Sequence, residues 1–209
     1  VETIGNKAFA NCSKLESVKF GKSLWKIGAY AFMECEKLKS IVLPNNVKVI
    51  LPGAFNDCCC LSSVTLSTSM TEIPAEAFAG CMALTTVALP QSVTSIGDNA
   101  FYDCSLLSTI SLANINHIGQ SAFYDCRSLS EITLSDNLSV INDYAFKGCT
   151  SIKGVTIPES VCKIGESAFY DCTALENVTF AGTTPIDFGG HAFANCVSLS
   201  AIEINASNT

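Results

Sequence analysis

The chain repeats the motif Ala-Phe-x-x-Cys nine times, and successive copies lie 22 to 24 residues apart. A fixed period of this size is typical of a solenoid, because each unit is too small to bury its apolar face except against its neighbours. The repeat therefore excludes two separate globular domains. It predicts a single domain over residues 1–209, built from nine units of about 23 residues. The repeated phenylalanines are Phe9, Phe32, Phe55, Phe78, Phe101, Phe123, Phe146, Phe169 and Phe193.

A short strand is predicted after each repeated cysteine, where the sequence follows x-x-Leu-x-x-Val-x-Leu. Ile41 and Leu43 show the pattern, because apolar residues that alternate with a period of two form a strand with one buried face. Pro44 follows directly and ends the strand ladder, since proline has no N–H to donate.

A second apolar pattern leads into each Ala-Phe-x-x-Cys motif. Ile96, Ala100, Phe101 and Cys104 are spaced so that they line one face of a short helix or 3-10 turn. Such elements need more room than strands, which stack about 4.8 Å apart. The predicted fold class is therefore an α/β solenoid, a curved array with a parallel β-sheet on the concave face and short helices or 3-10 turns on the convex side.

The complete unit resembles the BspA-like, or Treponema-type, class of leucine-rich repeat. The resemblance is carried by Cys-x-x-Leu-x-x-Val-x-Leu followed by Val-x-x-Ile-Gly-x-x-Ala-Phe, as in residues 93–104 and 107–112. It extends over the whole chain and implies a cell-surface or secreted protein of the kind found in host-associated bacteria and anaerobic protists. Several proteins of this class are adhesins, so the resemblance implies as partner a host extracellular-matrix or cell-surface protein, or another microbe's surface.

Composition narrows the function classes. The net charge of −7 counts against nucleic acid and against an anionic membrane surface, because both require a basic face. No apolar run approaches the roughly 18 to 20 residues that a spanning helix needs, so we expect no direct membrane insertion in this segment. The chain opens in the middle of a repeat pattern, and we expect it to be part of a longer array.

Two columns of outward-facing strand positions are rich in hydroxyl side chains. They would form a shallow surface for an extended polymer or a protein, although serine and threonine also suit an exposed strand that binds nothing. No large aromatic anchor lies in these columns, so any affinity would be spread over many contacts. The candidate binding residues on this predicted concave face are Ser40, Ser63, Thr65, Thr86, Thr109, Ser111, Thr133, Thr156 and Thr179.

A second candidate surface lies on the predicted convex side. Tyr102, Tyr124 and Tyr170 each follow a repeated phenylalanine and share one column, and an aspartate follows each of them. Exposed tyrosine is frequent in protein interfaces. A tyrosine at this position also packs against the flank of its own unit without binding anything, so both interpretations stay open.

The cysteines favour a structural role over catalysis or metal binding. Nine of the twelve occupy one inward column, where cysteine behaves as a small apolar residue, and we expect free thiols. There is no Cys-x-x-Cys or His-x-His motif and no glycine-rich phosphate loop. His117 and Cys162 are predicted to lie about 10 Å apart, beyond reach for a catalytic pair. We expect no cofactor, no metal and no enzymatic activity.

Two functional hypotheses remain. The first is a non-enzymatic repeat protein that mediates adhesion or protein–protein binding through the concave sheet. The alternative is a structural spacer of a surface protein with no ligand on this segment. Glycosylation sequons begin at Asn11, Asn137, Asn177 and Asn205, and a glycan on Asn177 would obstruct the concave face.

Overall fold

The structure, a computed structural model, describes residues 1–204. This part of the chain contains sixteen short strands and no helix. The strands fall into two parallel rows. The first strand row follows the repeated cysteines and consists of β3 (Ser40–Val42), β5 (Ser63–Thr65), β7 (Thr86–Val87), β9 (Thr109–Ile110), β12 (Gly154–Ile157), β14 (Asn177–Phe180) and β16 (Ala201–Ile204).

The second strand row precedes the Ala-Phe-x-x-Cys motifs. It consists of β1 (Thr3–Ile4), β2 (Lys26–Ile27), β4 (Val49–Ile50), β6 (Glu72–Ile73), β8 (Ser95–Ile96), β10 (His117–Ile118), β11 (Val140–Ile141), β13 (Lys163–Ile164) and β15 (Asp187–Phe188). The sequence predicted a turn here, because a pair of apolar residues three positions apart does not show the alternation of a strand.

Both rows are parallel, and each strand pairs with the equivalent strand of the neighbouring unit. In the second row the order is β1-β2-β4 and then β6-β8-β10-β11-β13-β15. In the first row β3 pairs with β5, β7 with β9, and β12 with β14 and β16, while isolated bridges join Thr109 to Glu131 and Leu112 to Leu134. The chain is thus a parallel β-solenoid of the leucine-rich-repeat type.

The predicted short helices or 3-10 turns are absent from residues 1–204, and the convex side is built from tight turns instead. Each unit has two residues with a positive φ angle, one two positions before the repeated phenylalanine and one two positions after it. They interrupt the hydrogen-bond pattern that a helix would need. Asn99 (φ 54°) and Asp103 (φ 52°) flank Phe101 in this way. Between them, the backbone N–H of Phe101 donates to Ala122 of the next unit, at 2.9 Å. The apolar spacing correctly predicts one buried face. It does not predict the left-handed backbone conformation, which Asn and Asp adopt more readily than most residues.

The core is a continuous stack of the repeated phenylalanine rings. Neighbouring ring centroids lie 5.0–5.7 Å apart, and the planes are within 15° of parallel. The seven rings from Phe32 to Phe169 have no exposed surface, whereas Phe9 in the first unit is 44% exposed. Each unit therefore buries its ring only between its two neighbours, as the period predicts.

The repeated cysteines form a second internal column with a definite role. From Cys35 to Cys196, each Sγ donates to the carbonyl oxygen of the phenylalanine in the preceding unit, at 3.1–3.3 Å. Burial raises the pKa of these thiols, to about 12 for Cys58, so they stay protonated and can donate. Eight of the nine predicted inward cysteines are buried, whereas Cys12 in the first unit is exposed.

Within the described residues 1–204, no helix has the length and apolar character needed to cross a membrane.

Candidate functional site

The candidate hydroxyl residues lie side by side on the outer face of the first strand row, which we call the first-row face. The strand register places Ser40 opposite Ser63 and Thr86 opposite Thr109. In the C-terminal units, Thr156 lies opposite Thr179. A parallel sheet directs alternate residues to the same side, so equivalent positions form continuous columns.

Most of these hydroxyls have no side-chain hydrogen-bond partner among the residues that the structure describes. Ser40, Ser63, Thr65, Thr86, Thr109, Ser111, Thr133 and Thr156 are exposed, and across residues 1–204 none of their side chains has a hydrogen bond to another protein group. Thr179 differs, because it is half-buried and its Oγ1 donates to Oε2 of Glu203 at 3.4 Å. The first eight residues therefore present donors and acceptors that are available to water or to a ligand.

Two shallow depressions mark the middle of the first-row face. One measures about 440 Å³ and is lined by residues 86–88, 109–111, Glu131 and Thr133. The other measures about 480 Å³ and lies between Glu131 and Lys153. Both depressions are lined mainly by small residues and are bordered by charged side chains. Such shallow surfaces suit an extended ligand better than a compact one.

Glu131, Gly154 and Asn177 occupy equivalent positions in three successive units of this face. The Asn177 amide lies over Gly154, where an added Cβ would come within 2.6 Å of Asn177 Oδ1. Glycine thus leaves room for the amide to lie flat on the sheet. The Asn177 side chain is exposed, so the sequon at this position does open onto the candidate face.

The other sequons lie away from that face or outside the described residues. Asn11 is exposed in a turn with φ 60°, and Asn137 is exposed beside Ser135, whose Oγ accepts its backbone N–H. Asn205 lies outside the described residues.

The convex tyrosines form an ordered group, which we call the tyrosine ridge. Tyr102 and Tyr124 stack with centroids 4.8 Å apart. Tyr102 is 39% exposed, while Tyr124 and Tyr170 are half-buried. The Tyr170 hydroxyl accepts a hydrogen bond from Asn195 Nδ2 at 2.9 Å. The structure thus brings two of the three predicted tyrosines into direct contact.

Lys147 joins the third tyrosine to this group, an arrangement that the sequence analysis did not predict. Its Nζ lies 5.3 Å from the ring centroid of Tyr124 and 4.9 Å from that of Tyr170. It also lies 5.5 Å from the ring of Tyr144, which comes from a neighbouring column. These distances are typical of cation–π contacts. The sequence does indicate this arrangement, because Lys147 follows its repeated phenylalanine just as Tyr124 and Tyr170 do in the units before and after it.

Acidic residues border the ridge. Asp125 forms a 3.0 Å ion pair with Arg127. Burial, followed by repulsion from Asp125, raises the pKa of Asp103. Burial, with a smaller contribution from Asp103, likewise raises the pKa of Asp57. Asp57, Asp103 and Asp125 therefore place carboxylates beside the tyrosine ridge.

The search for metal-binding groups covered the described residues. Across residues 1–204, no group of three or more His, Cys, Asp or Glu side chains is arranged to hold a metal ion.

Comparison with known proteins identifies the repeat family. The chain matches the model of the BspA type leucine rich repeat region, which has six copies, over residues 1–108 and 94–209. A search of curated proteins gave no significant match.

Solved structures share the fold along nearly the whole chain. A leucine-rich repeat protein from Bacteroides ovatus ATCC 8483 has 27% identity and a TM-score of 0.72, with 99% of this chain and 53% of that chain covered. The T. pallidum leucine rich repeat protein has 26% identity and a TM-score of 0.55, with 96% and 72% covered. A leucine rich cell surface protein from Faecalibacterium prausnitzii A2-165 has 24% identity and a TM-score of 0.58, with 99% and 77% covered, and this likeness supports the fold alone.

The chain thus spans about half the length of the Bacteroides ovatus protein. The matches to the family model together cover the entire sequence. The chain belongs to the BspA-type leucine-rich repeat family.

Proposed function

We propose that the chain is a non-enzymatic binding module of a cell-surface or secreted protein, and that it mediates adhesion or protein–protein binding through the first-row face. The observation that carries this proposal is the row of eight exposed hydroxyl residues that have no partner within residues 1–204. Such a surface is broad and uniform, so a partner would bind by many weak contacts along several units.

Family membership supports the class of partner. Repeat arrays expose extended surfaces that suit proteins and polymers, while the chemistry of each surface decides what binds. We propose a host extracellular-matrix or cell-surface protein, or the surface of another microbe, as the partner. The tyrosine ridge is a second proposed surface, because its rings are held by stacking and by Lys147 before any partner arrives.

A structural spacer is the competing function, and one observation favours it. The only large apolar side chain that points outward from the first-row face within residues 40–180 is Val42, at 62% exposure. Interfaces usually depend on a few large anchors, and this face offers little of that kind.

Binding of the chain to immobilised matrix proteins and to epithelial cells tests the proposal. The decisive variant replaces Ser63, Thr86, Thr109 and Thr133 together with arginine. Long charged side chains at these positions would block the face, and we expect saturable binding by the native chain to fall to background. Unchanged thermal unfolding of the variant would show that the loss concerns the surface and not the fold.

A matched control carries the same added charge elsewhere. Thr71, Thr94, Asn116 and Ser139 are also exposed, lie just before the second strand row, and can be replaced together by arginine. This control should bind like the native chain. Equal binding by this control and by the four-arginine variant of the first-row face would contradict the first-row face as the binding site. Absence of binding by a folded, monomeric native chain would favour the spacer.

The tyrosine ridge is tested separately in the same assay. Replacing Tyr102 and Tyr124 with alanine should leave binding unchanged if the first-row face acts alone. A loss of binding in this variant but not in the four-arginine variant would transfer the function to the convex side.

A further inference from the structure

Both strand rows are interrupted at the same place, between the third and fourth repeat units. Across residues 1–204, no strand pairing or isolated bridge joins β4 to β6 in the second row or β5 to β7 in the first row. The first row is also interrupted between Leu134 and β12, but there β10 pairs with β11 and the second row continues. Within the described residues, the boundary between the third and fourth units is therefore the one that lacks pairing in both rows. We call this boundary the proline junction.

Pro74 explains the interruption of the second row. In six other units, the residue after the second-row strand donates its backbone N–H to the unit before it, as Gly97 donates to the carbonyl oxygen of Ile73 at 2.8 Å. In the seventh unit, the side-chain amide of Asn142 makes this bond instead, at 2.7 Å. Pro74 holds the position in the fourth unit, and it cannot donate to the carbonyl oxygen of Ile50 because proline has no N–H.

The units on the two sides of the proline junction stay joined on the convex side. The N–H groups of Gly53, Phe55 and Asp57 donate to the carbonyl oxygens of alternate residues 75–79 in the fourth unit, at 2.7–3.0 Å. The rings of Phe55 and Phe78 stack across the junction at 5.7 Å. The bonded convex turns thus form an axis, and the unpaired strands on the two sides of the junction can separate about it.

One side-chain hydrogen bond crosses the proline junction without involving the third unit. The Tyr30 hydroxyl donates to Oε2 of Glu76 at 2.9 Å and ties the second unit to the fourth. The comparable bond from Tyr144 to Glu166, at 3.0 Å, joins adjacent units whose strands β11 and β13 are paired. The Tyr30 bond therefore restrains a boundary that has no strand pairing of its own.

We propose that the proline junction is a hinge between a first block, units one to three, and a second block, units four to nine, and that the Tyr30–Glu76 bond restrains its opening. Units of a solenoid are coupled by contacts with their nearest neighbours, so the array opens first where those contacts are fewest. Opening separates Ser63 from Thr86 and changes the curvature of the first-row face. The hinge is a property of the fold and does not depend on the function proposed for that face.

The repeated cysteines supply one probe of opening in each unit. Cys35 and Cys58 lie in the first block, Cys81 and Cys104 lie in the second, and all four are fully buried. A buried thiol reacts with iodoacetamide only when its unit opens, so labelling of the native chain at low urea concentrations reports the opening of each unit. Tandem mass spectrometry assigns the labelled cysteines. The exposed thiols at positions 59 and 60 are replaced with serine beforehand, so that their labelling does not disturb the first block.

A hinge predicts a step in the labelling rates. Cys35 and Cys58 should label at a common rate that is faster than the rate for Cys81 and Cys104, because the first block opens as one unit. A gradual decrease in rate from Cys35 to Cys104 would indicate fraying from the end of the chain and would overturn the hinge. Equal rates for all four cysteines would overturn it as well.

Pro74→Ala restores the missing N–H and keeps a Cβ at this position. It should slow the labelling of Cys35 and Cys58 about fivefold, the factor that corresponds to one ordinary hydrogen bond. Pro90→Ala is the matched control, because Pro90 follows β7 inside the second block, and it should leave the step unchanged. Circular dichroism verifies that each variant is folded. Unchanged labelling of Cys35 and Cys58 in folded Pro74→Ala would contradict the role assigned to the proline.

Tyr30→Phe tests the restraint. It removes the bond to Glu76 while keeping the aromatic ring, and it should speed labelling of the first block about fivefold. Tyr144→Phe removes the comparable bond at a boundary with paired strands, and it should leave the step between Cys58 and Cys81 unchanged. The restraint is disproved if Tyr30→Phe labels like the native chain, or if both variants change the step equally.

Discussion

The phenolic hydroxyl of Tyr30 donates a hydrogen bond to Oε2 of Glu76 at 2.9 Å, across two repeat units. The intervening unit carries Gly53 at the equivalent position, and the Tyr30 ring lies directly over it. A side chain there would fill the space that the ring occupies. The regular array thus contains a link that skips one unit, and a single glycine makes it sterically feasible.

This hydrogen bond makes the ionisation of Tyr30 sensitive to Glu76. The bond to the carboxylate is the main cause that raises the pKa of Tyr30 above its ordinary value, with burial second. We expect Glu76→Gln to lower that pKa, because a neutral amide stabilises the protonated phenol less than a carboxylate does. NMR titration of ring-labelled tyrosine, with Tyr30→Phe to assign the signal, measures the change. An unaltered pKa would show that the bond does not persist in solution.

Gly53→Ala should destabilise the chain. Gly53 has φ +67°, and an added Cβ would overlap Tyr30 Cε1. The left-handed backbone alone costs about 1 to 2 kcal/mol for a residue with a Cβ, and displacement of the Tyr30 ring adds to this cost. Urea unfolding measures the difference. Gly5→Ala is the control, because nothing lies within 4 Å of its added Cβ, and it should change stability little.

Phe101→Ala should cost about 3 to 5 kcal/mol. Phe101 is fully buried and stacks on Phe78 at 5.6 Å and on Phe123 at 5.5 Å. Phe9→Ala, at the 44% exposed end of the same stack, should cost clearly less, because less apolar surface is lost. Chemical denaturation compares the two. Because units couple only to neighbours, Phe101→Ala should also broaden or split the unfolding transition. An equal loss of stability in Phe101→Ala and Phe9→Ala would contradict the buried phenylalanine stack.

The buried thiols predict a loss of stability at alkaline pH. Burial raises the pKa of Cys58 from 9.0 to about 12. A raised pKa in the folded state stabilises the fold fully below the unfolded pKa, and this contribution is lost as pH rises from about 9 towards 12. The free energy of unfolding should therefore be constant near pH 7 to 8 and should fall above pH 9.

Two cysteine variants separate this effect from general alkaline damage. Cys58→Ala should reduce the decline by about 1.4 kcal/mol per pH unit between the two pKa values, which is the contribution of one proton. Cys162→Ala, which removes an exposed thiol, should leave the decline unchanged. Urea unfolding at several pH values gives both slopes, and parallel slopes in the two variants would argue against titration of the buried column.

The candidate surfaces could be predicted in part from the sequence. The period places Thr86 and Thr109 in one column, and a parallel register of equivalent residues follows because stacked units are related by near-translation. The contact of Lys147 with Tyr144, three residues earlier, was not predicted, because the helix or 3-10 turn expected there is replaced by a turn in which Tyr144 has a φ of 58°.

The sequence by itself determined the period, the inward columns of phenylalanine and cysteine, and the parallel first strand row, because apolar burial in a repeat depends only on spacing. The tertiary structure alone decided the second strand row and the turns that replace the predicted helices. Both depend on hydrogen bonds to the next unit, such as Phe101 to Ala122, which compete with helical bonds inside a unit. The tertiary structure also decided the hydrogen bond from Tyr30 to Glu76, since the Tyr30 ring can lie over the intervening unit only because Gly53 has no side chain.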